Sequence, residues 1–140
     1  MPEITTDAKI ENLGALLEFV ERACRDSGVA QSDVFAFRLA ADEVCTNIIN
    51  YGYAGREPGP ITLAFSTADD RMVLTVGDRG RPFNPDDAPA PDLESSWEER
   101  QIGGLGLFLL QSMMDEVRYE ADGGEGNRLT LVKRKAASST

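Results

Sequence analysis

Histidine is absent from all 140 residues. Zinc sites built on imidazole and Ser-His-Asp catalysis are therefore excluded. Cysteine is scarce: Cys24 and Cys45 stand alone, without the tight spacing of a metal knuckle. They read as reduced, buried thiols of a cytoplasmic protein rather than a disulfide framework. No apolar run approaches the roughly 18 residues of a membrane span. The N-terminus has neither a basic start nor an apolar segment, so no signal peptide is expected. Positive charge is also short. Fourteen Lys and Arg oppose 24 Asp and Glu, for a net charge of −10. That balance argues against direct nucleic-acid binding, whose affinity comes mainly from neutralising phosphates. It favours protein partners with basic surfaces.

The chain is 41% apolar and long enough for one domain that buries about two-thirds of its unfolded surface. Repeats and linkers are missing. The domain is expected to span residues 1–135, with 136–140 a disordered tail. Asn12 to Ala23 is amphipathic, with Leu13, Leu16, Leu17 and Val20 on one side, and Ser27-Gly28 offers a natural helix end. Ile4-Thr5 suggests an edge strand. Ile61 to Ser66 and Met72 to Val76 read as a hairpin around Ala68-Asp69-Asp70. Glu116 to Glu120 and Arg128 to Lys133 read as a second hairpin. The expected class is α+β: a two-layer sandwich of one mixed, mostly antiparallel sheet with helices on one face.

Three motifs carry chemistry. The first lies on a helix read from about Ser32 to Tyr51, capped by Ser32 or Asp33. Val34, Phe37, Ala41, Val44, Cys45 and Ile48 recur at the helical period and should face the core. Glu43, Asn47 and Asn50 fall together on roughly the other side, since residues three and four apart stack on a helix. Asn47 offers a neutral hard oxygen to Mg²⁺, a metal that keeps most of its waters. Glu43 can hold such a water or take a proton from an attacking hydroxyl. Alone, this pair is an ordinary solvated face.

The second motif is Asp78-Arg79-Gly80-Arg81-Pro82-Phe83, just after a strand. A half-buried carboxylate accepts hydrogen bonds only, so Asp78 suits the exocyclic amine of adenine. Gly80 would leave room for a base beside the backbone. Alone, it is an ordinary Asp-x-Gly turn. The third motif is Gly103-Gly104-Leu105-Gly106-Leu107, opening an apolar helix that runs to about Glu116. Glycines at a helix start let backbone N–H groups meet an anion. No Lys and hydroxyl follow, so this is not a P-loop. In this order the three motifs describe an ATP site.

The three motifs in sequence resemble the Bergerat-fold, histidine-kinase-like ATP-binding superfamily, over about Ile4 to Lys135. Within it the chain is most similar to the bacterial anti-sigma-factor serine/threonine kinases. Leu39 to Asn47, Asp78 to Pro85, and Gly103 to Leu110 followed by Met114-Asp115-Glu116-Val117 carry that narrower likeness. The resemblance implies an ATP- and Mg²⁺-dependent kinase. Glu43 would be the general base and Asn47 the Mg²⁺ ligand. Asp78 and Gly80 would meet adenine, and Gly104 and Gly106 the phosphates. Arg79, Arg81 or Arg100 would offset the charge of the nucleotide. Thr130 would supply a hydroxyl near adenine, although the usual glycine-threonine pattern reads here as Gly126-Asn127-Arg128. Tyr51 replaces the His that many relatives carry four residues after the Asn. Asp86 to Gln101, with the single Trp97, would be the lid over the nucleotide. Without a histidine, the phosphoacceptor must be elsewhere or of another type. The implied partners are a sigma factor and an anti-sigma-factor antagonist, with no direct nucleic acid and no membrane; a homodimer is compatible with the resemblance. The alternative is a module that binds ATP to shape a partner surface without phosphotransfer.

Overall fold

The computed structural model describes residues 1–81, 110–122 and 126–135. Five strands form one sheet: β1 (Glu3–Asp7), β2 (Pro60–Thr67), β3 (Arg71–Asp78), β4 (Glu116–Asp122) and β5 (Gly126–Arg134). Their order is β1-β2-β3-β5-β4, and each neighbouring pair is antiparallel. The sheet expected to be mixed is thus wholly antiparallel among the described residues. Two hairpins, β2–β3 and β4–β5, dock with β3 against β5, and β1 closes the edge beside β2.

Helix α1 (Leu13–Asp26) and helix α2 (Gln31–Asn47) cover one face. Strand parity explains which face. Met72, Leu74 and Val76 of β3 are buried, as are Ile61, Leu63 and Phe65 of β2 and Leu129 and Leu131 of β5. Side chains two apart on a strand share a face, so these form one apolar floor. Leu16, Leu17 and Val20 of α1 meet it, with Val34, Phe37, Ala41, Val44 and Cys45 of α2. Phe37 and Phe65 touch edge to face, with centroids 5.6 Å apart. The apolar stripes expected of both helices are those that are buried; Leu13 and Ile48 are half-buried at their margins.

Two boundaries of α2 differ from expectation, the second of them beside the site. Helix α2 starts after Ala30, which makes no side-chain cap. Asp33 lies instead in the first turn, where its charge suits the helix dipole, and faces Lys133 at 3.8 Å. At its other end α2 does not run regularly to Tyr51. From Ile48 to Gly52 it widens into a turn of π-helix, a feature frequent at functional sites.

Candidate functional site

The site is built where the end of α2 meets the end of β3. Gly52, last residue of the π-turn, accepts a hydrogen bond from the Arg81 N–H at 2.7 Å. Gly80 lies flat against it. A Cβ at Gly80 would stand 2.5 Å from the Gly52 oxygen and 2.7 Å from its carbonyl carbon. The space that glycine leaves at this position is therefore filled by backbone, a reason for Gly80 that does not involve a base.

Asp78 is the last residue of β3, on the helix-covered face with Met72, Leu74 and Val76. Its Oδ1 accepts from the Gly80 N–H at 2.7 Å and from Asn127 Nδ2 at 3.0 Å. Burial pushes its carboxyl above the usual range; the bonds from Asn127 and Gly80 and the charge of Arg56 pull it partly back. Asp78 also lies near enough to α2 to help raise the Cys45 thiol, which burial and then Asp42 and Asp78 push up to about 12.

A second anchor holds the turn from below. The Arg79 N–H donates to the Tyr53 hydroxyl at 2.7 Å, which donates onward to the Pro60 carbonyl at 2.8 Å. Tyr53 is 6% exposed. Arg56 stacks over its ring at 5.6 Å, and its Nη2 reaches the Arg79 carbonyl at 3.4 Å.

On α2, Glu43 and Asn47 are both half-buried, and Asn50 is exposed. Burial, and next the neighbouring Asp42, raise the Glu43 carboxyl above its ordinary value. A base with a raised pKa is better matched to neutral pH. Among the described residues no group of three His, Cys, Asp or Glu could hold a metal by itself. One amide oxygen beside one carboxylate fits Mg²⁺, which takes one or two protein ligands and completes its shell with water and phosphate.

The structure thus ties the turn that follows α2 to the turn that follows Asp78, and sets Asp78 near Cys45 of α2. Gly104, Gly106, Arg100 and the stretch Asp86 to Gln101 with Trp97 lie outside the described residues. Thr130 is corrected. It pairs with Thr75 of β3 and Arg118 of β4, one residue out of phase with Leu129 and Leu131. Strand parity puts it on the sheet face away from the helices, so it does not join Asp78. Asn127, three residues earlier, has the opposite parity and sits directly across from Asp78. Tyr51 is 44% exposed.

Asn127, Tyr53 and Arg56 are site residues that the motifs do not announce. Parity is the available signal for Asn127: it falls in phase with Leu129 and Leu131, and a buried amide needs partners. Tyr53 and Arg56 lie in an aperiodic turn that signals no contact. A groove of about 600 Å³ opens over the far side of the sheet, beside Thr62, Ser66, Thr75 and Arg128. Asp78 and Asn127 also line its edge, although strand parity turns their side chains to the helix face.

Residues 6–133 match the histidine kinase-like ATPase domain. The serine-protein kinase RsbW of Halalkalibacterium halodurans is 32% identical over 126 residues, covering 87% of this chain and 76% of that one. The RsbW of Bacillus licheniformis is 29% identical, covering 87% and 79%. A solved structure of RsbU and RsbW domains from Mycobacterium tuberculosis overlays 98% of this chain with a TM-score of 0.67 at 22% identity, and this chain spans 33% of that longer polypeptide. The chain belongs to the histidine kinase-like ATPase family, among its RsbW-type serine-protein kinases. It is accordingly an ATP-binding domain. Among the described residues, no helix is long and apolar enough to cross a membrane.

Proposed function

We propose that this chain is a Mg²⁺-dependent serine/threonine kinase of the cytoplasm that acts as an anti-sigma factor. It phosphorylates an antagonist protein and releases or holds a sigma factor according to the antagonist's state. The observation that carries this reading is the junction of the π-turn after α2 with the turn after β3: Gly52 is locked on Gly80 and Arg81, and Asp78 is held by Gly80 and Asn127.

Asp78 would read the adenine amine, its Oδ1 already engaged and Oδ2 left for the base. Asn47 would hold the metal, which supplies charge neutralisation at the phosphates. Gly104 and Gly106 would offer backbone N–H groups to those phosphates, and Arg100 a balancing charge. Glu43 would accept the proton of the substrate hydroxyl as its oxygen bonds to the γ-phosphorus. The bond to the β-phosphate oxygen then breaks and ADP leaves. Glu43 speaks for chemistry beyond binding, since a pure binder needs Asn47 and Asp78 but no base. The net charge of −10 suits partners with basic surfaces, whose association electrostatic steering accelerates.

The test is label transfer from γ-labelled ATP to Ser or Thr of candidate antagonists co-purified from the native cell. Transfer is expected with Mg²⁺ and not with EDTA. Binding of ATP and partner with no transfer to any antagonist would leave a regulatory module in place of a kinase.

A further inference from the structure

Asn127 is 7% exposed and the one buried polar residue among those described. It stands across from Asp78 in the β3–β5 register. Its Nδ2 donates to Asp78 Oδ1 at 3.0 Å and to the Gly80 carbonyl at 2.9 Å. Both N–H bonds of one amide are spent on the same turn. Gly126, just before it, has φ +112°, and a Cβ there would stand 2.5 Å from the Asp78 carbonyl oxygen. Glycine at 126 thus lets β5 come close enough for the amide to reach.

We infer that Asn127 is the positioning residue for base recognition: its amide clamps Asp78 Oδ1 and the Gly80 carbonyl, so that Asp78 presents Oδ2, ionised, to an amine on the nucleotide base. This rests on the nucleotide reading above. An amide N–H donates and never accepts. Its donation is stronger to a carboxylate than to a neutral carboxyl, so it favours the charged form against the burial that disfavours it. A hydroxyl in its place could donate to only one of the two acceptors. The other groups that act on Asp78 or feel it are Arg56, which stabilises its charge, and Tyr53 and Cys45, which that charge disfavours ionising. Among these side chains, Asn127 is the one whose donor reaches Oδ1.

The experiment measures Kd for Mg-ATP and for the Mg complex of purine riboside triphosphate, which lacks the 6-amino group. Wild type, Asn127→Ala and Asn127→Thr are compared from pH 5.5 to 8. Wild type is expected to prefer ATP across this range. Asn127→Ala should bind ATP about tenfold or more weakly, the loss typical of a hydrogen bond to a charged group. Its preference over the deaminated analogue should shrink, and its ATP affinity should fall further toward acid pH as Asp78 takes up a proton more readily. Asn127→Thr, with one donor, should recover part of the preference. A structural role alone would weaken both nucleotides equally at every pH, and that result overturns the inference. So does an Asn127→Ala protein with wild-type selectivity and pH profile. If Asn127→Ala does not fold, Asn127→Ser decides by the same criteria. Failure of wild type to bind ATP at all would instead overturn the nucleotide reading itself.

Discussion

Gly80→Ala separates two reasons for a glycine beside Asp78. If the position is small to admit a base, the apoprotein should tolerate alanine and only nucleotide affinity should suffer. The structure requires another result. The new methyl would sit 2.5, 2.7 and 3.0 Å from the oxygen, carbonyl carbon and Cα of Gly52. All three are backbone atoms, so no side chain can swing aside. Overpacking of this kind costs about 1–3 kcal/mol. Relief by separation would stretch the bond from Arg81 N–H to Gly52 O, now 2.7 Å, for about another 0.5–1.5 kcal/mol. A total of about 2–4 kcal/mol, at roughly 3–5 °C per kcal/mol for a domain of this size, lowers Tm by about 6–20 °C. Calorimetry on the apoprotein checks it. Gly14→Ala is the control: its Cβ meets nothing within 4 Å, and alanine in α1 should be neutral or stabilising by up to about 1 kcal/mol. An apo Gly80→Ala protein melting within a degree or so of wild type would refute the packing argument and restore the base as the reason for the glycine.

Three further substitutions probe the same geometry. Asp78→Asn keeps an oxygen for Gly80 N–H and Asn127 but turns an N–H toward the base amine; this mismatch of about 1–3 kcal/mol raises the Kd for ATP about 5- to 150-fold by calorimetric titration. Because burial raises the Asp78 carboxyl, the folded protein binds that proton more tightly than the unfolded chain, so its contribution is greatest at acid pH and lost as pH rises; apo stability of Asp78→Asn at pH 7 should not fall, and a large loss would contradict this sign. Glu43→Gln should keep ATP affinity within a few-fold and slow phosphotransfer about 10²–10⁴-fold; the wild-type rate should decline as acidity passes through the raised Glu43 titration, and a variant as fast as wild type would remove Glu43 as the base. Tyr53→Phe deletes the acceptor of the Arg79 N–H and the donor to Pro60, costing about 1–3 kcal/mol of stability in urea denaturation; unchanged stability would show that the tyrosine hydroxyl is no anchor.

Much of this is legible in the chain, for identifiable physical reasons. The core faces of α1 and α2 can be read because burial imposes a period that the order of residues records. The hairpins can be read because β-rich runs flank polar turns. Asp78 and the Glu43–Asn47 pair stand out because their residue types suit one chemistry in one order. Thr130 is misplaced when residue type is followed instead of parity: a strand reverses its facing at each step, so a shift of three residues crosses the sheet. The widening of α2 at Ile48 has no local signal, since Ile48-Ile49-Asn50-Tyr51 is as compatible with a regular turn as with a π-turn. Nor does the Gly52–Gly80 contact, which joins positions far apart in the chain and leaves no periodic trace.

That contact changes how the site should be understood. Glu43 and Asn47 ride on α2, while Asp78 rides on β3, and among the described residues the two elements meet close to their ends. Gly52 bonds Arg81, Tyr53 bonds Arg79, and the Arg81 Nη2 reaches back to the Ala54 carbonyl at 3.3 Å. Three successive residues after α2 are thus tied to the turn that follows Asp78. A displacement of α2 along its axis would have to drag that turn with it or break several bonds at once. On the proposed reading, base recognition and metal binding would then be parts of one rigid joint rather than two independent subsites. Substitutions in the joint, at Gly80 or Tyr53, should therefore perturb both together, whereas Asp78→Asn and Glu43→Gln, which leave the joint's backbone bonds intact, should separate binding from chemistry.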